Sequence, residues 1–236
     1  MAASQPDPRR IELAANLSAV ERRIDRATRS AGRDRASVTL VVITKTWPAT
    51  DVRLLAELGV THVGENRDQE AAPKAAAVAG IGLHWHFVGQ LQTNKARSVA
   101  SYADVVESVD RVRLASALDR AAVAAERRLS CLVQVSLDAE PGRGGARPEQ
   151  VPEVAAAIAS SSHCDLAGVM AVAPLGEEPV AAFTRLAAIS ELLRGDHPTA
   201  TAISAGMSGD LEEAITCGAT HVRVGSAVLG HRPPVG

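Results

Sequence analysis

Between Val38 and Val224 the chain alternates short β-branched runs with alanine-rich helical stretches, eight times over. The strand candidates are Val38–Thr44, His62–Glu65, His84–Val88, Asp104–Glu107, Ser130–Leu137, Asp165–Val172, Thr201–Ser204 and His221–Val224. Helical spacing marks Asp51–Leu58, Arg111–Arg127, Pro148–Ala159, Pro179–Leu193 and Asp210–Cys217 between them. Strands that alternate with helices join by right-handed parallel crossovers. Eight such units in 236 residues predict a closed (β/α)8, TIM-like barrel, a fold of about 250 residues. An open doubly wound sheet shares the periodicity and stays an alternative at this point. Ahead of the first strand, Ile11, Leu13, Leu17, Val20, Ile24 and Ala27 recur at helical spacing from Arg9 to about Ala31, with Gly32 as the stop. This is an extra N-terminal helix. Residues 1–8 read as a loose tail and 9–236 as a single domain. The one long turn-like segment, Asp138–Arg147, reads as a mobile loop.

Composition narrows the partners. A net charge of -2 leaves no electrostatic footprint for nucleic acid or an anionic membrane. The cysteines Cys131, Cys164 and Cys217 lie far apart without a C-x-x-C pair, which fits a reducing compartment. No apolar run approaches the ~18 residues of a membrane span. The N-terminus lacks a basic head followed by an apolar stretch. A cytoplasmic protein is the expectation, and nothing in the pattern demands more than a monomer.

Alternate strand residues point to opposite faces. Leu83, Trp85 and Phe87 suit the helix-covered outside, which turns His84 and His86 toward the barrel axis. Val41, Ile43 and Lys45 share a face, as do His62, Gly64 and Asn66, and His221, Arg223 and Gly225. Lys45, Asn66, His86 and Arg223 therefore sit at or near C-terminal strand ends, where barrels of this kind carry their sites. Each has a plainer explanation. A strand-end lysine is commonly solvated, and H-x-H can be a metal pair or two core histidines. An inward arginine needs an acceptor, either a carboxylate or a ligand.

After the seventh strand stands Ser204-Ala-Gly-Met-Ser-Gly-Asp210, and after the eighth Gly225-Ser-Ala227. Barrels often hold phosphate in this pair of loops, where glycines let backbone N–H groups approach an anion. Turn and capping chemistry is the alternative, since Asp210-Leu-Glu-Glu213 has a capping-box pattern. A lysine facing an anion site has a joint reading in pyridoxal 5'-phosphate (PLP). That cofactor needs an amine for its imine, an anion site and a partner for its ring nitrogen. Desolvation and a nearby cation such as Arg223 would favour the neutral amine.

The segments Leu40–Thr46, Gly64-Glu-Asn66, His84-Trp-His-Phe-Val-Gly-Gln-Leu-Gln-Thr-Asn-Lys95, Val109-Asp110, Gln134-Val135, Gly168-Val-Met170, Gly206-Met-Ser-Gly-Asp210 and His221–Ser226 run in one order along the chain. In this the chain resembles the pyridoxal phosphate homeostasis proteins, single barrels related to the N-terminal domain of alanine racemase. The resemblance implies PLP held as an internal aldimine on Lys45, with Arg223 at the ring nitrogen. It implies that Ser204, Gly225 and Ser226 hold the phosphate, joined by Ser208 and the backbone of Gly206 and Met207. Asn66 and His86 would line the ring. The chain departs at Arg67, where an aromatic is usual, at Trp47, where a basic residue is common, and in the Gly/Arg-rich Pro141–Arg147 loop.

Two functions follow from different classes. The first is PLP storage and homeostasis without robust catalysis, with PLP-dependent apo-enzymes or amino acids as partners. The second is a small PLP-dependent amino-acid racemase. An aldolase-like imine enzyme without PLP is a third. A racemase of the alanine type uses a tyrosine opposite its lysine and a second, β-rich domain. Here the one tyrosine is Tyr102, ahead of the fourth strand and so at the N-terminal end of the barrel.

Overall fold

In a computed structural model, residues 7–138 and 144–230 are described. Eight parallel strands close in sequence order: β1 (Thr39–Ile43), β2 (His62–Glu65), β3 (His84–Phe87), β4 (Val105–Val109), β5 (Leu129–Gln134), β6 (Cys164–Met170), β7 (Ala202–Ser204) and β8 (His221–Val224). The pairing of β1 with β8, from Thr39 opposite His221 to Val42 opposite Val224, closes the barrel and removes the open-sheet alternative.

The chain enters through α1 (Pro8–Ser30), capped where the Asp7 side chain accepts from Arg9 N–H at 2.9 Å. It buries Leu13, Val20, Ile24 and Ala27, whereas Ile11, expected on the same face, is exposed. The other helices are α2 (Ala49–Glu57), α3 (Asp68–Ala77), α4 (Ala96–Ala100), α5 (Val112–Ala124), α6 (Val151–Ala159), α7 (Pro179–Asp196), α8 (Leu211–Thr216) and α9 (Ser226–Leu229). The expected strands and helices are all present, with ends displaced by a few residues. Helices α3, α4 and α9 are additions.

Two apolar clusters hold the helices to the barrel. One joins β3–β6 to α4–α7 around Phe87, Leu118, Ile158 and Leu186. The other joins α1, α2, β1, β2, β8 and the Trp85 side of β3 around Leu13, Leu55, Val63, Trp85 and Val222. Trp85 and Phe87 face outward as expected. On the inner face Val41 and Ile43 crowd Gly64 so closely that a Cβ there would lie 2.5 Å from Ile43 Cδ1.

Helix α1 also braces the loops after β7 and β8. Arg23 donates to Ser208 O (2.9 Å) and pairs with Glu212 (2.7 Å), Asn16 donates to Val228 O (3.0 Å), and Arg9 donates to Leu229 O (3.0 Å). The tail expected over residues 1–8 falls mainly on residues outside those described, and α1 already begins at Pro8.

Candidate functional site

At the C-terminal ends of the strands lies a cavity of about 530 Å³. Lys45, Asn66, Met207, Ser208, Arg223, Gly225 and Ser226 line it, together with Ile43, Val88, Gln134, Met170, Val172 and Gly209. Seven of the ten residues expected at the site thus converge on one wall-to-wall space. His86, Ser204 and Gly206 do not line it. His86 and Ser204 are buried in the bore, and Gly206 turns the loop at φ +87°.

Lys45 follows β1 by two residues, and its backbone is held on both sides. Thr44 is fully buried. Its hydroxyl donates to Glu65 Oε1 at 2.6 Å, and its carbonyl accepts from Lys74 Nζ at 2.8 Å. Lys74 also pairs with Glu65. On the other side Thr46 takes a left-handed φ of +68° and donates its N–H to Glu70 Oε2 at 3.0 Å. A β-branched residue in that region is strained and persists only where its surroundings fix it. The amine itself makes no hydrogen bond or ion pair among the described residues. Trp47, the departure beside the lysine, carries the Arg9 guanidinium 4.5 Å above its ring.

Arg223 is almost fully buried yet reaches the cavity. Its acceptors are Ser204 Oγ at 2.7 Å and Ala171 O at 2.8 Å. Its nearest carboxylate, Glu107, stands 3.8 Å away. Nε keeps no partner among the described residues. Burial pulls the guanidinium down, opposed by the charge of Glu107.

Below the cavity, Glu107 accepts from Ser204 Oγ and from His86 Nδ1, each at 2.6 Å. Burial alone would push its carboxyl up. The His86 hydrogen bond and charge, then Arg223 and Ser204, outweigh it and bring the carboxyl to about 2. His86 Nε2 lies 2.9 Å from His62 Nδ1. Burial and then the neighbouring His86, His84 and His221 bring His62 down to about 4. Both ring nitrogens of His86 are therefore engaged by side chains. The exposed His84 stacks on His62 at 4.8 Å.

Glu107 escaped the sequence reading, although a lone carboxylate inside Val-Val-Glu-Ser-Val is costly without a partner and could have flagged it. Gln134, Met170 and Val172 were likewise missed as cavity walls. The capping box expected at Asp210 does not form. Its carboxylate turns back to accept from Met207 N–H at 2.6 Å, tightening the glycine loop instead of capping α8.

The donors around the glycine loops suit an anion. Ser226 Oγ donates to Ser208 Oγ at 3.2 Å, and Ala227 N–H reaches the same hydroxyl at 3.3 Å. The backbone N–H groups of Ser208, Gly209 and Ser226 have no protein acceptor among the described residues. An unbonded amine, an unpaired guanidinium N–H and this group of N–H donors meet in one space. The residues present therefore fit a phosphorylated carbonyl compound with a ring acceptor.

The class is that of the barrel found in alanine racemases. The family model described as "Alanine racemase, N-terminal domain" matches residues 15–233. Within it the chain belongs to the family of pyridoxal phosphate homeostasis proteins. It is 44% identical over 246 residues to the Mycobacterium bovis protein of that name, covering 96% of this chain and 95% of that one. A crystal structure of an unknown protein from Bifidobacterium adolescentis superposes with a TM-score of 0.86 at 30% identity, covering 95% of this chain and 97% of that one. PipY of Synechococcus elongatus, solved with PLP bound, gives 0.78 at 32% identity, covering 92% of this chain and 100% of that one.

Proposed function

We propose that this protein binds pyridoxal 5'-phosphate in the cavity and serves intracellular PLP homeostasis. Family membership and a relative solved with PLP bound support the ligand. The observation that supports the site is the unbonded Lys45 amine, on a backbone pinned by Lys74 and Glu70 and lining the same cavity as Arg223. Lys45 would hold the cofactor as an internal aldimine through its amine, with the aldehyde oxygen released as water, and the bound cofactor would supply the reactive carbonyl. Arg223 would meet the ring nitrogen, and Ser208, Gly225 and Ser226 would take the phosphate; of the Gly206–Met207 backbone, the Met207 N–H is held by Asp210, so these two residues would act by shaping the loop. Asn66 lines the ring. Ser204 and His86 belong to the site through Arg223.

Residues 9–236 act as one cytoplasmic, monomeric binding domain whose partners besides PLP are PLP-dependent apo-enzymes or amino acids. No helix among the described residues is long and apolar enough to cross a membrane. The racemase reading is disfavoured because the chain's one tyrosine, Tyr102, packs edge-on against Trp85, 6.3 Å between ring centroids, and lines a different cavity. An arginine at the ring nitrogen, always protonated, also weakens the cofactor as an electron sink.

Borohydride reduction of PLP-loaded protein followed by peptide mapping tests this. The expected result is cofactor fixed to Lys45 and lost in Lys45→Ala. An unchanged imine absorbance in Lys45→Ala refutes the site. Conversion of an L-amino acid to its D form by the loaded protein moves the assignment to the racemase.

A further inference from the structure

The polar side chains in the barrel's bore form one hydrogen-bonded chain that ends at Arg223. Arg223 Nη1 donates to Ser204 Oγ over 2.7 Å, and Nη2 donates to Ala171 O over 2.8 Å. A serine hydroxyl has one proton, and Ser204 directs it to Glu107 Oε2 at 2.6 Å. The order of donation is therefore fixed, from Arg223 to Ser204 to Glu107. On its far side Glu107 Oε1 is held by His86 Nδ1 at 2.6 Å.

Neither Ser204 nor Ala171 offers Arg223 a charge. Among the described residues, Glu107 is the one carboxylate within ion-pair distance of the guanidinium, at 3.8 Å. A buried guanidinium without a counter-charge is driven toward solvent or toward another acceptor. The guanidinium is a planar fork, so fixing Nη1 and Nη2 also fixes where Nε points. Glu107 itself does not line the cavity.

We infer that Glu107 is the positioning residue for Arg223: through Ser204 it holds the guanidinium in place against the pyridine nitrogen of the bound cofactor, while His86 locks the carboxylate. This rests on the reading that PLP occupies the cavity. Its consequence is selective. Loss of Glu107 removes recognition of the ring nitrogen and leaves the amine and the phosphate contacts intact.

Two ligands separate these contributions: PLP and its 1-deaza analogue, in which the ring nitrogen is a C–H that cannot accept from Arg223. Their dissociation constants are measured by spectral titration of the wild-type protein, Glu107→Gln and Ser204→Ala. The glutamine keeps the shape of the side chain and removes its charge. A hydrogen bond from a charged donor predicts that the wild type prefers PLP by about tenfold to a hundredfold. In both variants that preference falls below about threefold, set by loss of the same bond, while the deaza analogue binds as before. If Glu107→Gln does not fold, Ser204→Ala carries the comparison, since it breaks the bridge and keeps the carboxylate.

Equal weakening of both ligands, or a preference retained in both variants, overturns the inference and leaves Glu107 a purely structural residue. A wild type that binds both ligands alike overturns it as well. A wild type that binds neither refutes the PLP reading itself.

Discussion

Lys74 Nζ donates to the carbonyl oxygen of Thr44 over 2.8 Å, so a lysine on α3 fixes the peptide that leads into Lys45. The same ammonium pairs with Glu65, whose Oε2 is buried without a partner of its own. The buried pair therefore has a positional role beside Lys45, and its two members do not survive separately.

Lys74→Met strands the Glu65 carboxylate in the wall of the barrel. Removing one partner of a buried ion pair costs about 3–5 kcal/mol. The urea midpoint should fall accordingly, and PLP loading at Lys45 should fall with it. The double replacement Glu65→Gln with Lys74→Met should recover much of the stability, because no charge is left unpaired. It should not recover loading, because Thr44 O still lacks its donor.

Stability should fall on acidification in two windows. His62 is held at about 4 in the folded chain against an ordinary 6.5. Between those values the unfolded chain takes up a proton that the folded chain does not, so stability declines as pH falls from 6.5 to 4. Glu107 is held at about 2 against an ordinary 4.5. Its contribution is complete above 4.5 and is lost as pH falls toward 2. Urea unfolding at a series of pH values should show His62→Gln flattening the first window and Glu107→Gln the second. A His62→Gln curve parallel to the wild type across 6.5 to 4 would contradict the assignment.

The legibility of this chain divides along physical lines. Strands β2 and β8 were readable to the residue, because each is a short segment opening on His-Val and followed at once by a polar or glycine-containing turn. The faces of β1, β3 and β8 followed from their period of two, which turns His86 and Arg223 into the bore and Lys45 to the cavity, although His86 stops short of the cavity wall. Strand β4 was harder. Its pairing with β5 shifts register between Val106 and Val109, and Glu107 lies inside that irregularity. Helix α3 was hidden by Pro73, a residue that removes a backbone donor from a helix interior. The roles of Ser204 and Asp210 could not be read at all. Each depends on a partner distant in sequence or on a carboxylate turning back, and hydrophobic pattern carries neither. The expected mobile loop at Asp138–Arg147 has residues 139–143 outside those described. Its downstream end is tied in, with Ala146 N–H donating to Gln134 O at 2.8 Å.

The bracing of the phosphate loops by α1 gives a third prediction. Arg23 holds Ser208 O at 2.9 Å while pairing with Glu212. Arg23→Met leaves that carbonyl free and loosens the loop beside the anion donors. PLP affinity should fall about threefold to tenfold, the worth of a net hydrogen bond. Pyridoxal, which has the aldehyde and ring but no phosphate, should react with Lys45 as in the wild type. Equal losses for both ligands would place the effect elsewhere.

Gly89 gives the last prediction, and it explains a glycine in the His84–Lys95 block. A Cβ at this position would lie 2.0 Å from the backbone oxygen of Asn66 and 2.7 Å from its carbonyl carbon. Backbone cannot swing aside as a side-chain tip can, so Gly89→Ala must displace either Asn66 or the turn after β3. Asn66 lines the cavity, so the displacement reaches the ligand directly. Overpacking of this kind costs about 1–3 kcal/mol, and more where the clash is with main chain. The expected outcome is a lowered melting temperature together with weaker PLP binding. Gly64→Ala is the control, because its nearest atom, Ile43 Cδ1 at 2.5 Å, is the end of a flexible side chain that can rotate away. It should cost less stability than Gly89→Ala, and a reversed order in thermal unfolding would show that Asn66 is not held by this contact.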